Sequence, residues 1–311
     1  MKGLIVKGKG KLRLVTDLDR PVPKEGEVLV KVVAASVNSY DVESAAGNYD
    51  AYFKEYGVDE AVRTGLEFAG IVASDSVKFK EGDAVYGYVH LITGCKAHAE
   101  YISLPEAYLA RKPERLSFEQ AASLPTGVLT SLEVYETLAA GSSGKSTLII
   151  GAGGGVGTSA VQIAGILGFE VTTLSSATQM KGLKNLGVEH VLNYKDVALS
   201  SLKDKFDIVL DLSTRYTLED CRPLLTSGGK FIPALPDESN GGTGETDDVG
   251  YLMLMEGNGE KLIRVNKWIE DGKLETTLDQ IYAFEAHHNA IERLAVRGKL
   301  GKIVMSWKIA V

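Results

Sequence analysis

The stretch Thr147-Leu-Ile-Ile-Gly151-Ala-Gly-Gly-Gly-Val-Gly157 limits what this chain can fold into more than any other. Thr147–Ile150 is apolar and largely β-branched, which suits a strand buried on both faces of a parallel sheet. Ala160, Val161, Ile163, Ala164 and Leu167 then follow at helical spacing. The reading is strand, glycine turn, helix. A turn without Cβ atoms lets backbone N–H groups come close to a diphosphate, and the helix points its positive end at the same anion. Ala152, Gly154 and Gly157 set the register A-x-G-x-x-G. Gly154, Gly155, Val156 and Gly157 are the expected contacts of a bound dinucleotide. The plainer alternative is a glycine turn that serves only close packing of helix on strand.

Two nearby patterns mislead. Ala139–Ser146 ends in Gly144-Lys145-Ser146 like an ATP-binding loop, but its first glycine is replaced by Ala139 and a strand follows it where a helix should. Tyr108-Leu-Ala-Arg-Lys112 has the Tyr-x-x-x-Lys spacing of short-chain dehydrogenases, yet it precedes the glycine turn instead of following it. Both are read as chance matches.

A chain of 311 residues has room for about two domains. The net charge is −7 and no basic run exceeds two residues, so neither nucleic acid nor an anionic membrane is expected as the main partner. The opening Met1-Lys-Gly-Leu-Ile-Val-Lys-Gly is too short an apolar run for a secretory signal. No segment approaches the roughly 20 apolar residues that span a bilayer. Cys95 and Cys221 are the only cysteines, which excludes a disulfide scaffold and a cysteine zinc cluster. A reducing cytoplasm is the expected location.

Short strand signals fill the N-terminal third: Gly3–Val6, Lys11–Val15, Glu27–Ala35, Gly70–Ser74, Ala84–Val89 and Ala99–Leu104. A small helix is expected at Ser39–Ala46. This reads as an all-β, barrel-like domain. After the capping-box spacing Ser117-Phe-Glu-Gln120 the pattern changes. Strands are expected at Thr147–Ile150, Glu170–Leu174, His190–Asn193, Ile208–Leu212 and Gly229–Pro233, with helices near 155–168, 178–186, 196–203 and 217–226. Such alternation signals a doubly wound parallel sheet, an α/β fold. Asp237–Gly250 reads as a polar loop, Tyr251–Met255 as a final strand and Glu260–Asp271 as a helix. The tail, with Ile281–Phe284, a helix over Ala286–Ala295 and Lys302–Met305, is expected to rejoin the first domain.

The chain resembles the zinc-independent quinone oxidoreductases, the zeta-crystallin-like branch of the medium-chain dehydrogenase/reductase superfamily. The resemblance rests on Ala34-Ala-Ser-Val-Asn38-Ser-Tyr-Asp41, Gly65-Leu-Glu67-Phe-Ala-Gly70, Lys80-Glu-Gly-Asp-Ala-Val-Tyr-Gly87, Ala99-Glu-Tyr101, Ala121-Ala-Ser-Leu-Pro125, Thr130, the glycine turn, Gly187, Asn193-Tyr194 and Gly301-Lys-Ile-Val304. It implies a GroES-like β-barrel catalytic domain, residues 1–114 completed by 273–311, and a Rossmann domain, residues 115–272. It also implies reduction of quinones or enones with NADPH, and a homodimer paired through the last strand of the nucleotide sheet. Zinc dehydrogenases share this fold. Where they place ligands, this chain has Asn38-Ser39-Tyr40 and Leu66, and the later ligand falls near Ser142 or Ser143. The histidines His90, His98, His190, His287 and His288 form no tetrahedral spacing, so no zinc is expected.

NAD enzymes usually carry a carboxylate at the end of the second strand, for the ribose 2′-OH. Here that strand ends in Thr173-Leu-Ser175-Ser176-Ala177. Ser175 and Ser176 do not repel a 2′-phosphate, and Lys181 and Tyr194 supply a cation and a phenol, so NADPH is expected ahead of NADH. Thr130 is expected at the domain junction beside the nicotinamide, and Ser213 beside its carboxamide. Asn38 and Asp41 can hydrogen-bond the nicotinamide ribose, the substrate carbonyl or each other, or Asp41 can cap the helix after it. Tyr49 and Tyr52, with Tyr56, can stack a flat quinone or supply a proton, or simply pack as a lid. Glu67 reads as structural. The function expected is zinc-free, NADPH-dependent reduction of quinones or α,β-unsaturated carbonyls. An enoyl-thioester reductase and a noncatalytic NADPH-binding or structural protein are the alternatives.

Overall fold

In the computed structural model, which describes residues 1–8, 10–58, 61–89, 95–139, 145–235 and 247–308, the chain opens with a hairpin of β1 (Gly3–Val6) and β2 (Leu12–Val15). Next comes β3 (Glu27–Val37), in which Lys31 alone is exposed. That near-continuous apolar run suits a strand covered on both sides. Then follow α1 (Ser39–Ala46), α2 (Asp50–Glu55), β4 (Glu67–Val72), β5 (Ala84–Tyr88), β6 (Tyr101–Pro105) and β7 (Leu109–Arg111). β3 pairs antiparallel with β4, and its first half also pairs with β6.

α3 (Phe118–Ala122) starts at a full capping box. Ser117 Oγ accepts from the Gln120 amide at 3.1 Å, and Gln120 Oε1 accepts from the Ser117 amide at 2.9 Å. α4 (Pro125–Leu132) opens on a proline, whose missing N–H costs nothing there, and runs on as a π-helical stretch, Glu133–Leu138.

The alternating segment forms β8 (Ser146–Ile150), α5 (Gly157–Ile166), β9 (Glu170–Ser175), α6 (Ala177–Asn185), β10 (His190–Asn193), β11 (Phe206–Asp211), α7 (Leu218–Cys221) and β12 (Leu225–Pro233). The sheet order is β10-β9-β8-β11-β12, and every pairing is parallel. Both faces are covered. Leu148, Ile150 and Val209 join one apolar cluster with Leu218 of α7, while Ile149, Ile208 and Leu210 join another with Ala160 of α5 and Leu183 of α6. The chain leaves β8 toward β9 and returns on the other side to β11. The carboxyl ends of β8 and β11 therefore flank the switch point where such sheets bind ligands.

α8 (Gly259–Glu270), β13 (Leu278–Ala283), α9 (His287–Ala295) and β14 (Lys302–Ser306) complete the described elements. β14 pairs parallel with β13 and antiparallel with the end of β3. The first sheet thus reads β13-β14-β3-β4-β5-β7, with β6 also on β3. Its core gathers Val30, Phe68, Ile102, Phe284 and Ile303.

Three expected elements differ. Only a single 3₁₀ turn, Leu199–Ser201, forms where a helix over 196–203 was expected, because Asn193 and Asp196 bond each other at 2.7 Å in a turn that uses up the start. The helix expected over 217–226 splits into α7 and a 3₁₀ turn, Arg222–Leu224, where Pro223 lacks the N–H that would continue it. Tyr251–Met255 is no strand. Val249 bridges to Phe231, and the Leu254 carbonyl accepts from Tyr88 Oη at 3.0 Å. Most of the expected loop at 237–250, together with His90, Ser142 and Ser143, lies outside the described residues.

Candidate active site

The glycine turn follows β8. Gly151 bends the chain at φ 82°, a region that favours glycine. The Gly154 amide donates to the Gly151 carbonyl at 3.1 Å. A Cβ on Gly157 would stand 2.6 Å from Ala152 Cα, so this glycine lets the first turn of α5 close on the turn that leaves β8. A Cβ on Gly155 would stand 2.6 Å from Lys302 Cδ. A Cβ on Gly154 would meet only the Gly151 carbonyl, at 3.4 Å. Gly154 therefore faces open space at the head of α5, which is the room a diphosphate needs.

The end of β9 lies beside this turn. Ser175 is buried, and its Oγ has no partner among the described residues. Ser176 caps α6 through Gln179, whose Nε2 donates to the Lys299 carbonyl at 2.6 Å. Lys181 is exposed on α6, and its side chain makes no hydrogen bond or ion pair among the described residues. The Tyr194 amide donates to the Ser175 carbonyl at 3.1 Å, which fixes this tyrosine beside the same strand end. Ser213 turns its hydroxyl back on Asp211, at 2.6 Å. Thr130 is buried within α4.

A buried polar cluster comes from the other sheet. Lys302, at the head of β14, donates to Asn38 Oδ1 at 2.7 Å and to Glu67 Oε1. Asn38 Nδ2 donates to Ser36 Oγ at 3.0 Å and to Glu67 Oε1 at 3.3 Å. The second Glu67 oxygen accepts from the Thr126 amide at the start of α4, at 2.7 Å. Side chains of Lys302 and Glu67 are 4% and 0% exposed. Such a charge survives burial only when paired and hydrogen-bonded. The Gly301 amide also donates to the Gly153 carbonyl at 3.0 Å, so the head of β14 is bonded to the glycine turn.

Asp41 caps α1, forming a capping box with Asn38, as one of the two sequence readings expected. Its two oxygens accept from the Asn38 and Gly65 amides, each at 2.7 Å. Burial raises its pKa, against the lowering effects of His98 and the two amides. His98 bridges the Ser36 carbonyl at 2.9 Å and Thr64 Oγ1 at 3.0 Å. Asp41 and His98 thus shape the loop that carries Asn38.

The tyrosines divide. Tyr49 packs on Tyr40 at 4.7 Å between ring centroids and donates to Glu43 Oε2 at 2.8 Å. Burial, then the hydrogen bond to Glu43, raises its pKa well above the usual tyrosine value. Tyr52 and Tyr56 are 50% and 54% exposed. Among the described residues no group of His, Cys, Asp and Glu is placed to hold a metal. Leu66, beside Glu67, is buried.

Lys302 was not read from the sequence as a site residue. The available signal was a lysine in a strand otherwise apolar enough for a core, where lysine is rare unless paired.

Residues 24–114 match the family described as alcohol dehydrogenase GroES-like domain, and residues 186–305 the family described as zinc-binding dehydrogenase. The 2-methylene-furan-3-one reductase of Solanum lycopersicum is 33% identical over 308 residues, covering 94% of this chain and 75% of the relative. The chain belongs to the medium-chain dehydrogenase/reductase superfamily. The chloroplastic NADPH-dependent alkenal/one oxidoreductase of Arabidopsis thaliana is 30% identical over 308 residues, with 94% of this chain and 75% of the relative covered. The structure of the quinone oxidoreductase from Coxiella burnetii matches with a TM-score of 0.83 and 27% identity, over 99% of each chain. The resemblance carried by the sequence motifs therefore holds, and this member of the superfamily is an oxidoreductase. No described helix is long and apolar enough to cross a membrane.

Proposed function

We propose that the chain is an NADPH-dependent reductase of quinones or α,β-unsaturated carbonyls that works without zinc. Residues 1–114 and 273–311 would form its catalytic domain and residues 115–272 its dinucleotide domain. The observation that carries the reading is the open face of Gly154 at the switch point, with the Asn38–Glu67–Lys302 cluster of the other sheet bonded beside it. When bound, the reduced nicotinamide supplies the hydride.

Each residue then has a role. Gly154–Gly157 admit the diphosphate. Ser175 and Ser176 leave the end of β9 free of carboxylate, and Lys181 and Tyr194 offer donors to a 2′-phosphate. Asn38, oriented by three partners, would hydrogen-bond the nicotinamide ribose, and Thr130 and Ser213 would border the nicotinamide and its carboxamide. Tyr49 keeps its proton at neutral pH, since its pKa is raised. Its hydroxyl donates to Glu43, so it would polarise a substrate carbonyl only by turning that proton from Glu43 to the substrate, with Tyr52 at the outer rim. Asp41 holds the loop beneath them. Support for zinc independence comes from Asn38 and Leu66 at the ligand positions. β12 is an edge strand whose far side, among the described residues, is met only at the Phe231–Val249 bridge. Such an edge favours pairing with a second copy, a homodimer. Cys95 and Cys221, both buried and not joined in a disulfide, suit a reducing cytoplasm.

The test is NADPH consumption across a panel of quinones and enones, before and after exhaustive chelation, with elemental analysis of the protein. Turnover that survives chelation is expected. One stoichiometric zinc lost together with activity would overturn the zinc-free part. Tight NADPH binding with no turnover would favour a noncatalytic role.

A further inference from the structure

We propose that Arg215 grips the 2′-phosphate of the bound dinucleotide and so sets the preference for NADPH over NADH. This rests on the dinucleotide site proposed above and adds a residue from a loop that the sequence motifs did not mark.

The loop after β11 is built around one carboxylate. Asp211 is fully buried and accepts from the Ser213 amide at 2.8 Å, Ser213 Oγ at 2.6 Å, the Arg215 amide at 3.1 Å and the Tyr216 amide at 3.0 Å. These bonds fold the loop back over the strand end. They hold Thr214 at φ 56°, and it is the one described non-glycine residue with positive φ. Residues held in that region mark places where the surrounding structure dictates the backbone, among them ligand clamps.

The result of the fold is a placed cation. Arg215 Cζ lies 5.8 Å from the centroid of the Tyr194 ring. Tyr194 is itself bonded through its amide to the Ser175 carbonyl, at 3.1 Å. A guanidinium from the loop after β11 is thereby brought across the sheet toward the end of β9, where the adenosine ribose lies in folds of this kind. β9 itself ends without a carboxylate, Asp196 of the adjoining turn is engaged by Asn193 Nδ2 at 2.7 Å, and the buried Ser175 Oγ is unspent among the described residues.

The guanidinium is also uncommitted. Arg222, Arg264 and Arg293 each pair with a carboxylate, from Asp248, Glu136 and Asp279. Arg215 has no hydrogen bond or ion pair at its guanidinium among the described residues. A planar fork of five donors resting over a phenol ring matches a phosphate by two parallel hydrogen bonds. Lys181 and Arg215 are both exposed, and Lys181 adds its charge from a helix stem with no side-chain partner among the described residues. Arg215 adds charge from a loop whose backbone is fixed.

Calorimetric titration of NADPH, NADH and 2′,5′-ADP tests this on the intact chain and on Arg215→Met and Arg215→Lys. Arg215→Met is expected to weaken NADPH and 2′,5′-ADP by roughly tenfold or more, with NADH and the melting temperature little changed. Arg215→Lys is expected to recover part of the loss. If the unaltered chain binds NADPH no more tightly than NADH, the NADPH reading fails and this inference with it. If the chain prefers NADPH and Arg215→Met keeps that preference, the reading stands and Arg215 is not the ligand. Equal losses for NADPH and NADH would place Arg215 against the adenine and overturn the assignment.

Discussion

Gly154 and Gly157 share one turn and serve it differently. Gly157 lies against the Ala152 backbone, whereas the Cβ direction of Gly154 is open. Gly154→Val is expected to abolish NADPH binding and leave the melting temperature near that of the parent. Gly157→Val is expected to weaken binding and also to destabilise by about 1–3 kcal/mol, the usual cost of overpacking. Cofactor titration and a thermal melt of each variant separate the two. Normal NADPH affinity in Gly154→Val would mean that the diphosphate is not held here. Lys302 makes a second case. Lys302→Met strands the buried Glu67 carboxylate, and a loss of about 3–5 kcal/mol is expected in urea unfolding. Adding Glu67→Gln removes the stranded charge and should regain most of that stability. No recovery would show that lost packing against Gly155, and not the charge, sets the cost. The glycine turn was legible because all its parts are contiguous. The Lys302 cluster was not, since Lys302 is 264 residues from Asn38 and 235 from Glu67. Tyr49 and Tyr52 look alike in sequence, and only burial tells them apart.

The elements were legible where a local rule dominates. Strands buried on both faces read as apolar runs, and the Ser117 capping box names its own helix start. They were less legible where a single polar pair or proline decides, as at Asn193–Asp196 and Pro223. The π-helical stretch Glu133–Leu138 has no sequence sign distinct from that of an α-helix. One carboxylate ties three strands together. Asp207 of β11 accepts from the Ser146 amide at 3.0 Å, Ser146 Oγ at 2.7 Å and Thr226 Oγ1 at 3.0 Å. Burial pushes its pKa up, but these hydrogen bonds outweigh burial and hold it below the usual aspartate value. The unfolded value is about 3.9. With the folded value lower still, Asp207 stabilises fully at pH above the unfolded value. Its contribution is lost as pH falls through the folded value. Asp207→Asn is therefore expected to cost about 1–3 kcal/mol at neutral pH and to flatten the acid limb of stability below about pH 4. Urea midpoints measured from pH 7 to pH 3 check this. An acid limb unchanged in the variant would count against it.

At the scale of the whole molecule, the two sheets are joined where the chemistry is proposed. Glu67 bonds the start of α4, and Gly301 bonds the glycine turn. Tyr86 Oη, on β5, donates to Asn266 Oδ1 of α8 at 2.6 Å. The change from β-rich to alternating pattern announced both sheets. That the tail contributes β14, between β13 and β3, and carries the lysine of the site depended on contacts no local pattern records. The most direct test of the proposed chemistry is a single-turnover reaction with NADPH carrying deuterium at both C4 positions of the nicotinamide. It is run with an α,β-unsaturated ketone, and with a quinone in parallel. The expected result is one deuterium on the β-carbon of the saturated ketone, or quinone reduced at the rate at which NADPH disappears. NADPH bound and intact beside both acceptors, with neither reduced, would contradict it.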